Sequence, residues 1–162
     1  MFNVKKLAFG AALLAASAVC FAAPKVEIVT SEGNIVVNLN EKAAPTTVAN
    51  FVKYANEGFY NGTIFHRVIN NFMIQGGGFD RNLHQKSTHA PIKLEDKNGL
   101  KNIVGTIAMA RTNNPDSATS QFFINLKDND FLNGTSTKDG YAVFGEVVSG
   151  MDVVRKIGRA PT

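Results

Sequence analysis

The sequence predicts a single mainly β domain, an antiparallel sheet closed into a barrel or a sandwich, with one helix near each end. First, the centre of the chain is a series of short apolar runs separated by Gly and Asn, as in antiparallel folds with many short strands. Second, alternating apolar and polar residues open this region, and residues at helical spacing follow it. Third, 162 residues with 44% hydrophobic content suffice for one domain with a substantial core and are few for two.

The first predicted elements are a β-hairpin and a helix. Apolar residues alternate with polar ones over residues 26–28 and 35–39, and turn-forming residues separate the two runs. Pro45 suits a first helical turn, and apolar residues between 48 and 55 recur at helical spacing. Gly58 is placed to end this helix. The domain is therefore predicted to open with two strands and a helix.

The remaining predicted elements are short strands and a final helix. The apolar runs that we predict as strands are residues 63–69, 72–75, 105–110, 121–125 and 141–148. An amphipathic helix is predicted from about Met151 to Ile157, with Gly158 past its end. Because no repeat, low-complexity tract or linker divides the chain, all these elements are assigned to one domain.

The first 22 residues have the layout of a secretory signal peptide. Two lysines precede an uncharged apolar run over residues 7–19, and small residues at Cys20 and Ala22 favour cleavage after Ala22. An uncleaved anchor is the alternative, but the run is shorter than the roughly 20 residues that cross a bilayer. We therefore expect residues 23–162 to be exported, with no stable membrane association after cleavage.

Charge and cysteine usage agree with export and exclude one class of partner. Without Lys5 and Lys6, 15 basic residues face 13 acidic ones, a formal charge of +2. These charges form no basic stripe, so nucleic acid is not expected as a partner. The single cysteine, Cys20, lies in the predicted signal peptide, which leaves no thiol to mispair in a disulfide-forming compartment.

The common catalytic templates do not match. After residue 22 there is no cysteine nucleophile and no serine in a nucleophile-elbow context. His66, His84 and His89 lack the spacing and the partner motif of a metal site. The glycines at 76–78 are not followed by the Lys-Ser/Thr of a phosphate loop, and a bend or bulge is the better interpretation. We expect neither a metal nor another cofactor.

Several unusual strings occur in a fixed order. They are Phe65-His66-Arg67-Val68-Ile69, Phe72-Met73-Ile74-Gln75-Gly76-Gly77-Gly78-Phe79, Met109-Ala110-Arg111, Ser117-Ala118-Thr119-Ser120-Gln121-Phe122-Phe123-Ile124 and Tyr141-Ala142-Val143-Phe144-Gly145. This set resembles the cyclophilin family of peptidyl-prolyl cis-trans isomerases, from about Val26 to about Gly158. The resemblance implies a closed eight-stranded antiparallel barrel capped by two helices, with a proline-binding groove on its outer face.

The resemblance also implies site residues. Arg67 corresponds to the catalytic arginine of the family, and Gln75 and Gln121 to the polar groups beside it. The residues expected to hold the proline ring are Phe72, Met73, Phe123 and Leu132. Ala110 and Arg111 are expected to contact the substrate backbone before the proline. The implied partners are proline-containing polypeptides, among them unfolded exported proteins.

Two positions and the C-terminal end depart from the best-known eukaryotic members. Phe131 stands where they carry Trp, and Tyr141 stands where they carry His. Both replacements resemble the bacterial periplasmic branch and, since Phe has no indole N–H donor, predict weak binding of cyclosporin. The family continues beyond the last helix into one more strand, so we expect residues 23–162 to form a C-terminally truncated domain. We further expect a periplasmic monomer.

Two functions stay open at this stage. An arginine in a strand is by itself usually a solvated surface residue, and a Phe/Met cluster is usually core. The joint occurrence of Arg67, Gln75 and Phe123 within the ordered strings favours an isomerase that assists folding of exported proteins. The alternative is a non-catalytic proline-peptide-binding chaperone on the same scaffold, which would have less need of Arg67 and Gln75.

Overall fold

The computed structural model describes residues 23–162, so the predicted signal peptide lies outside the described residues. The elements in chain order are β1 (Lys25–Thr30), β2 (Gly33–Leu39), α1 (Pro45–Asn56), β3 (Arg67–Ile69), β4 (Met73–Gly76), β5 (Thr106–Met109), β6 (Phe122–Asn125), a 3-10 helix (Asp130–Leu132), β7 (Val143–Ser149) and α2 (Met151–Gly158). The seven strands form one antiparallel sheet in the order β1-β2-β7-β5-β6-β4-β3. No helix within 23–162 has the length and apolar character needed to cross a membrane.

A single row of cross-strand partners builds the inner face of this sheet. It runs through Val68, Ile74, Ile124, Ile107, Gly145 and Leu39, one residue from each of six strands. Because alternate residues of a strand point to opposite faces, this row places Ile74, Ile107 and Ile124 in the core, where all three are fully buried. Their neighbours in sequence therefore lie on the outer face.

A bulge and a helix complete the core. The β5–β7 register shifts between Ile107 and Ala108, and the extra residue on β7, Phe144, is fully buried, as expected where a bulge redirects a side chain. Its ring lies 5.1 Å from that of Phe51 on α1. Phe51 also contacts the ring of Phe122 edge-on at 5.4 Å, a favourable aromatic geometry. Helix α1 thus packs on the core of the sheet through Phe51.

The antiparallel β architecture with two helices is confirmed, and the differences from the predicted elements are small. The hairpin forms with Thr30 paired to Gly33, and α2 includes Gly158, one residue beyond its predicted end. The predicted strand 63–69 is a strand only over β3.

Strands β1 and β3 are the two edges of the sheet, so the ladder does not close on itself among residues 23–162. A groove of about 850 Å³ lies beside the β1 edge, lined by apolar residues that include Val26, Ile28, Tyr60 and Phe65. Closure with an eighth strand therefore stays a prediction.

Candidate active site

A second row of cross-strand partners crosses the outer face of the sheet. It consists of Arg67, Gln75, Phe123, Ala108 and Val143, on β3, β4, β6, β5 and β7 respectively. The row begins with an exposed guanidinium and ends on buried apolar side chains. The antiparallel register alone therefore places the predicted catalytic arginine in line with a predicted proline-contacting ring.

The apolar part of this surface is one cluster, which we call the pocket cluster. Its buried members are Met73, Ala108, Phe123, Leu132 and Val143, and its partly buried members are Phe72, Leu100, Ala110 and Tyr141. Six of these nine are residues predicted from the sequence, namely Phe72, Met73, Ala110, Phe123, Leu132 and Tyr141. The structure thus brings together side chains that are up to 69 positions apart, while their roles toward a substrate stay predictions.

Aromatic contacts shape the edges of the pocket cluster. The ring of Phe131 stacks on that of Phe72 with centroids 5.6 Å apart, and Phe131 is 60% exposed. Tyr141 meets Phe123 edge-on at 5.8 Å. The 3-10 helix explains how Phe131 and Leu132 differ, because it turns Leu132 into the cluster and leaves Phe131 on the rim.

A chain of side-chain amides connects to Arg67. The Arg67 Nη1 donates to Gln75 Oε1 at 3.4 Å, and the Gln75 Nε2 donates to Gln121 Oε1 at 3.0 Å. A Cβ at Gly78 would collide with the Gln121 side chain, so the glycine lets Gln121 reach this position. None of the ion pairs within the described part of the chain includes Arg67. The guanidinium is therefore oriented by a neutral group and keeps donors free.

Residues 25–162 match the family model described as "Cyclophilin type peptidyl-prolyl cis-trans isomerase/CLD". The chain belongs to this family. A peptidyl-prolyl cis-trans isomerase of Acinetobacter baylyi is 57% identical over 159 residues, which cover 98% of this chain and 85% of the relative. Peptidyl-prolyl cis-trans isomerase B of Escherichia coli is 63% identical over 131 residues, which cover 79% of this chain and 80% of the relative.

A solved structure agrees with this membership. It is a crystal structure of a Cryptosporidium parvum cyclophilin type peptidyl-prolyl cis-trans isomerase in the presence of the dipeptide Ala-Pro. The two chains superpose with a TM-score of 0.73 at 27% sequence identity, and the match covers 86% of this chain and 87% of that one. The peptidyl-prolyl cis-trans isomerase identity indicated by the sequence strings is thereby confirmed.

Arg111 of this cyclophilin is bound to its own chain. Its Nε and Nη2 donate to the carbonyl oxygen of Gly140 at 3.0 and 2.9 Å, and its Nη1 donates to that of Thr112 at 2.8 Å. The guanidinium also lies over the Tyr141 ring, 4.5 Å from its centroid. Arg111 therefore holds Tyr141 at the rim of the pocket cluster. This structural role is separate from the substrate contact that the sequence predicts.

The loop between Asn133 and Tyr141 is held from the other side by an acidic residue. The buried Asp96 carboxylate accepts the Gly140 N–H at 2.7 Å. A Cβ at Gly134 would collide with this carboxylate, and one at Gly140 would collide with the Gly134 backbone. Both glycines are therefore needed for the loop to fold tightly next to Leu132 and Tyr141.

His66 precedes Arg67 on the opposite face of the chain. Its Nδ1 is buried without a hydrogen-bond partner among the described residues, and its ring packs on Phe79 at 4.5 Å. Burial first, and the adjacent Arg67 charge second, hold the pKa of His66 below its usual range. Both effects favour the neutral imidazole beside the arginine.

Sequence reasoning missed the buried asparagines beside the pocket cluster. Asn102, Asn125 and Asn129 are 0 to 1% exposed and are hydrogen-bonded to one another. One signal was available, since Asn125 ends an otherwise apolar strand and a buried amide requires partners.

Within the part of the chain that the structure describes, no group of three His, Cys, Asp or Glu side chains could hold a metal ion.

Proposed function

We propose that Arg67 and the pocket cluster together accelerate rotation about X-Pro bonds in exported polypeptides, and that this assists their folding. The observation that carries the proposal is the outer row of the sheet, in which Arg67, Gln75 and Phe123 are successive cross-strand partners. This geometry supports a hydrogen-bond donor held in line with an apolar contact for a proline ring.

The chemistry needs little more than these groups. Conjugation keeps the X-Pro amide planar, with a rotation barrier of roughly 18–20 kcal/mol, and uncatalysed exchange takes about 10–100 s. No bond is broken, so neither a nucleophile nor a cofactor is required. Rotation is accelerated if the twisted amide is bound more tightly than either planar form.

We propose that Arg67 provides this preference. Twisting localises the lone pair on the proline nitrogen, and a guanidinium N–H can donate to it. Such a donor acts more strongly next to apolar walls than in water. The 3.4 Å bond from Arg67 to Gln75 uses one donor, so further N–H groups stay available for the substrate. Each tenfold gain in rate needs only about 1.4 kcal/mol of preference for the twisted state.

The pocket cluster supports binding of the proline ring. Phe123, Met73 and Leu132 form a largely buried floor and wall, and Phe72 with Phe131 forms a stacked aromatic edge. The Cryptosporidium parvum relative was crystallised in the presence of Ala-Pro, and we propose the same class of substrate for this chain. Ala110 and Arg111 are proposed to lie along the residue before the proline.

The cellular setting is part of the proposal. The signal-peptide layout of the first 22 residues and the absence of cysteine after Cys20 support an exported, periplasmic protein. Slow X-Pro isomerisation limits folding of many polypeptides, which makes unfolded exported proteins suitable substrates. We propose that the protein acts there as a monomer.

Magnetisation-exchange NMR on a short Ala-Pro peptide tests the catalytic assignment. Arg67→Ala is expected to lower the exchange rate by about 100-fold, the effect of removing one preorganised donor, and Arg67→Lys is expected to recover only part of it. Arg155→Ala, which removes an exposed arginine from α2, is the matched control. Equal acceleration by wild type and Arg67→Ala would show that Arg67 is not catalytic.

The chaperone alternative rests on a different observation. Phe131 and Phe72 offer a stacked, partly exposed aromatic edge, which could bind unfolded chains without catalysis. An aggregation assay with a proline-free client separates the two functions. If Arg67→Ala abolishes isomerisation and wild type fails to suppress aggregation, the protein acts as an isomerase and not as a chaperone.

A further inference from the structure

Three buried asparagines form a continuous hydrogen-bonded column beside the pocket cluster. The Asn129 Nδ2 donates to Asn125 Oδ1 at 2.8 Å, and the Asn125 Nδ2 donates to Asn102 Oδ1 at 3.0 Å. Asn102 and Asn125 are fully buried, and Asn129 is 1% exposed. Asn125 lies on β6 two residues after Phe123, so both side chains occupy the outer face of the sheet.

Both ends of the column bind the backbone of pocket-wall residues. At one end, the Asn129 Nδ2 also donates to the Phe72 carbonyl at 2.9 Å. At the other end, the two N–H groups of Asn102 Nδ2 are shared among Asn133 Oδ1 at 3.1 Å and the carbonyls of Leu132 and Tyr141, both at 3.3 Å. The column therefore links the backbone at Phe72 to the segments that carry Leu132 and Tyr141, which are also bonded to each other through the Tyr141 N–H and the Leu132 carbonyl at 2.9 Å.

Main-chain bonds reinforce the same junction. The Asn129 N–H donates to the Asn102 carbonyl at 2.8 Å, and the Leu132 N–H donates to the Asn129 carbonyl at 2.9 Å. Asn125 is the cross-strand partner of Met73. Each asparagine of the column therefore contacts a residue of the pocket cluster directly, through a hydrogen bond or as a cross-strand partner.

We propose that Asn102, Asn125 and Asn129 are positioning residues that set the spacing between the walls of the proline pocket. Packed apolar side chains tolerate small shifts, whereas a buried hydrogen-bond network loses bonds when its members move. A side-chain amide has both a donor and an acceptor, so a column of three can relay position from Phe72 to Leu132. The inference rests on the proposed function, because it assumes that this cluster binds the proline.

Three substitutions test the column. Two of them remove its internal or terminal hydrogen bonds, and the third is expected to disturb the fold less. Asn125→Leu keeps the shape of the side chain and removes both links of the column, together with the Asn125 bond to Thr106 Oγ1. Asn102→Ala removes the side-chain bonds to the Leu132 and Tyr141 carbonyls, although the Leu132 carbonyl still accepts the Tyr141 N–H. Asn129→Ala is milder, since the Phe72 carbonyl still accepts the Leu126 N–H. Tyr54→Phe is the control, because it removes a fully buried hydroxyl that accepts the His89 N–H at 2.9 Å, outside the pocket cluster.

The readouts are the free energy of unfolding, kcat and KM for an Ala-Pro peptide, the peptide Kd by NMR titration, and the methyl shifts of Met73 and Leu132. We expect the column variants to lose about 10- to 100-fold in kcat/KM while fully folded, because misplacing binding groups by about 1 Å is that costly. Their Met73 and Leu132 methyl signals should shift, whereas those of Tyr54→Phe should not.

The inference is overturned if all three column variants lose stability as Tyr54→Phe does but keep the kcat/KM and methyl shifts of wild type. If Asn125→Leu and Asn102→Ala do not fold, the kcat/KM and methyl shifts of Asn129→Ala decide whether the inference stands. Failure of the proposed function is distinguishable: Arg67→Ala would then leave exchange unchanged, while peptide Kd and methyl shifts would still report whether the column sets the pocket.

Discussion

Arg67 and Gln75 are cross-strand partners on β3 and β4, and the arginine donates to the amide oxygen of Gln75 at 3.4 Å. Gln75 in turn donates to Gln121 at 3.0 Å. This pairing makes the orientation of the guanidinium depend on a neutral side chain rather than on a carboxylate. The positive charge of Arg67 is consequently not neutralised at the surface where the substrate is proposed to bind.

Gln75→Leu should lower kcat more than it raises KM. The leucine fills similar space but cannot accept from Arg67, so the guanidinium loses its orientation and kcat should fall by about tenfold. Kinetics of Ala-Pro isomerisation measure both constants. Gln85→Leu, at an exposed position, is the control, and a kcat for Gln75→Leu equal to that of this control would contradict the prediction.

Arg111→Gln should loosen the rim of the pocket. The variant loses charge-assisted bonds to the Gly140 and Thr112 carbonyls and the cation–π contact with Tyr141. We expect the free energy of unfolding to fall by about 2 kcal/mol and KM for the peptide to rise. Urea unfolding and steady-state kinetics check these effects against Arg159→Gln, an exposed control. An unchanged KM would show that Tyr141 does not depend on Arg111.

Asp96→Ala should destabilise the loop that connects Asn133 to Tyr141. It leaves the buried Gly140 N–H without its acceptor, which costs about 1–3 kcal/mol. Asp96→Asn keeps an acceptor oxygen and should restore most of the loss in chemical denaturation. Asp139→Asn removes only an exposed partner of Lys97 and should have little effect. If it destabilises as much as Asp96→Ala, the exposed ion pair holds the loop instead.

Stability should fall as the pH drops below about 6.5, the ordinary pKa of histidine. The pKa of His66 is lowered in the folded protein by burial and by Arg67, so the unfolded chain binds a proton at a higher pH than the folded one. Stability is then greatest above that pH and decreases on acidification.

Urea unfolding at a series of pH values between 8 and 5 measures this dependence. His66→Gln should flatten the part of the curve below pH 6.5, whereas His84→Gln, at an exposed position, should not. The pKa of Asp80 is also lowered, chiefly by backbone hydrogen bonding from His84, but from an ordinary value of 3.8, so the titration of this carboxylate lies outside the range of pH 5 to 8. If the free energy of unfolding of His66→Gln depends on pH as steeply as that of the wild type, His66 is not the cause of the pH dependence.

Phe131→Trp should increase the affinity for cyclosporin, which we propose is weak in the wild type. The exposed Phe131 ring provides an aromatic surface stacked on Phe72 but has no N–H donor, and the indole would supply one. Inhibition titrations of both proteins measure the change, with Phe59→Trp, a position away from the pocket cluster, as the control. Nanomolar inhibition of the wild type would contradict the proposal.

The strands around the site show how far pattern reasoning extends. Alternation within β6 predicts that Phe123 and Asn125 share a face, and the ordered strings indicate the family. Neither predicts that β6 lies between β4 and β5, because the strand order follows from packing of the whole sheet. The row from Arg67 to Val143 depends on that order and on register.

By itself, the sequence determined the order and type of the elements and the residue types at the pocket cluster, and it predicts an export signal. These follow from local spacing and from short strings such as Phe65 to Ile69. Only the tertiary structure decided that Arg111 binds Gly140 and that Asn102 donates to the carbonyls of Leu132 and Tyr141. The physical reason is that these bonds connect segments about 30 or more positions apart, and their distances are set by packing rather than by local conformation.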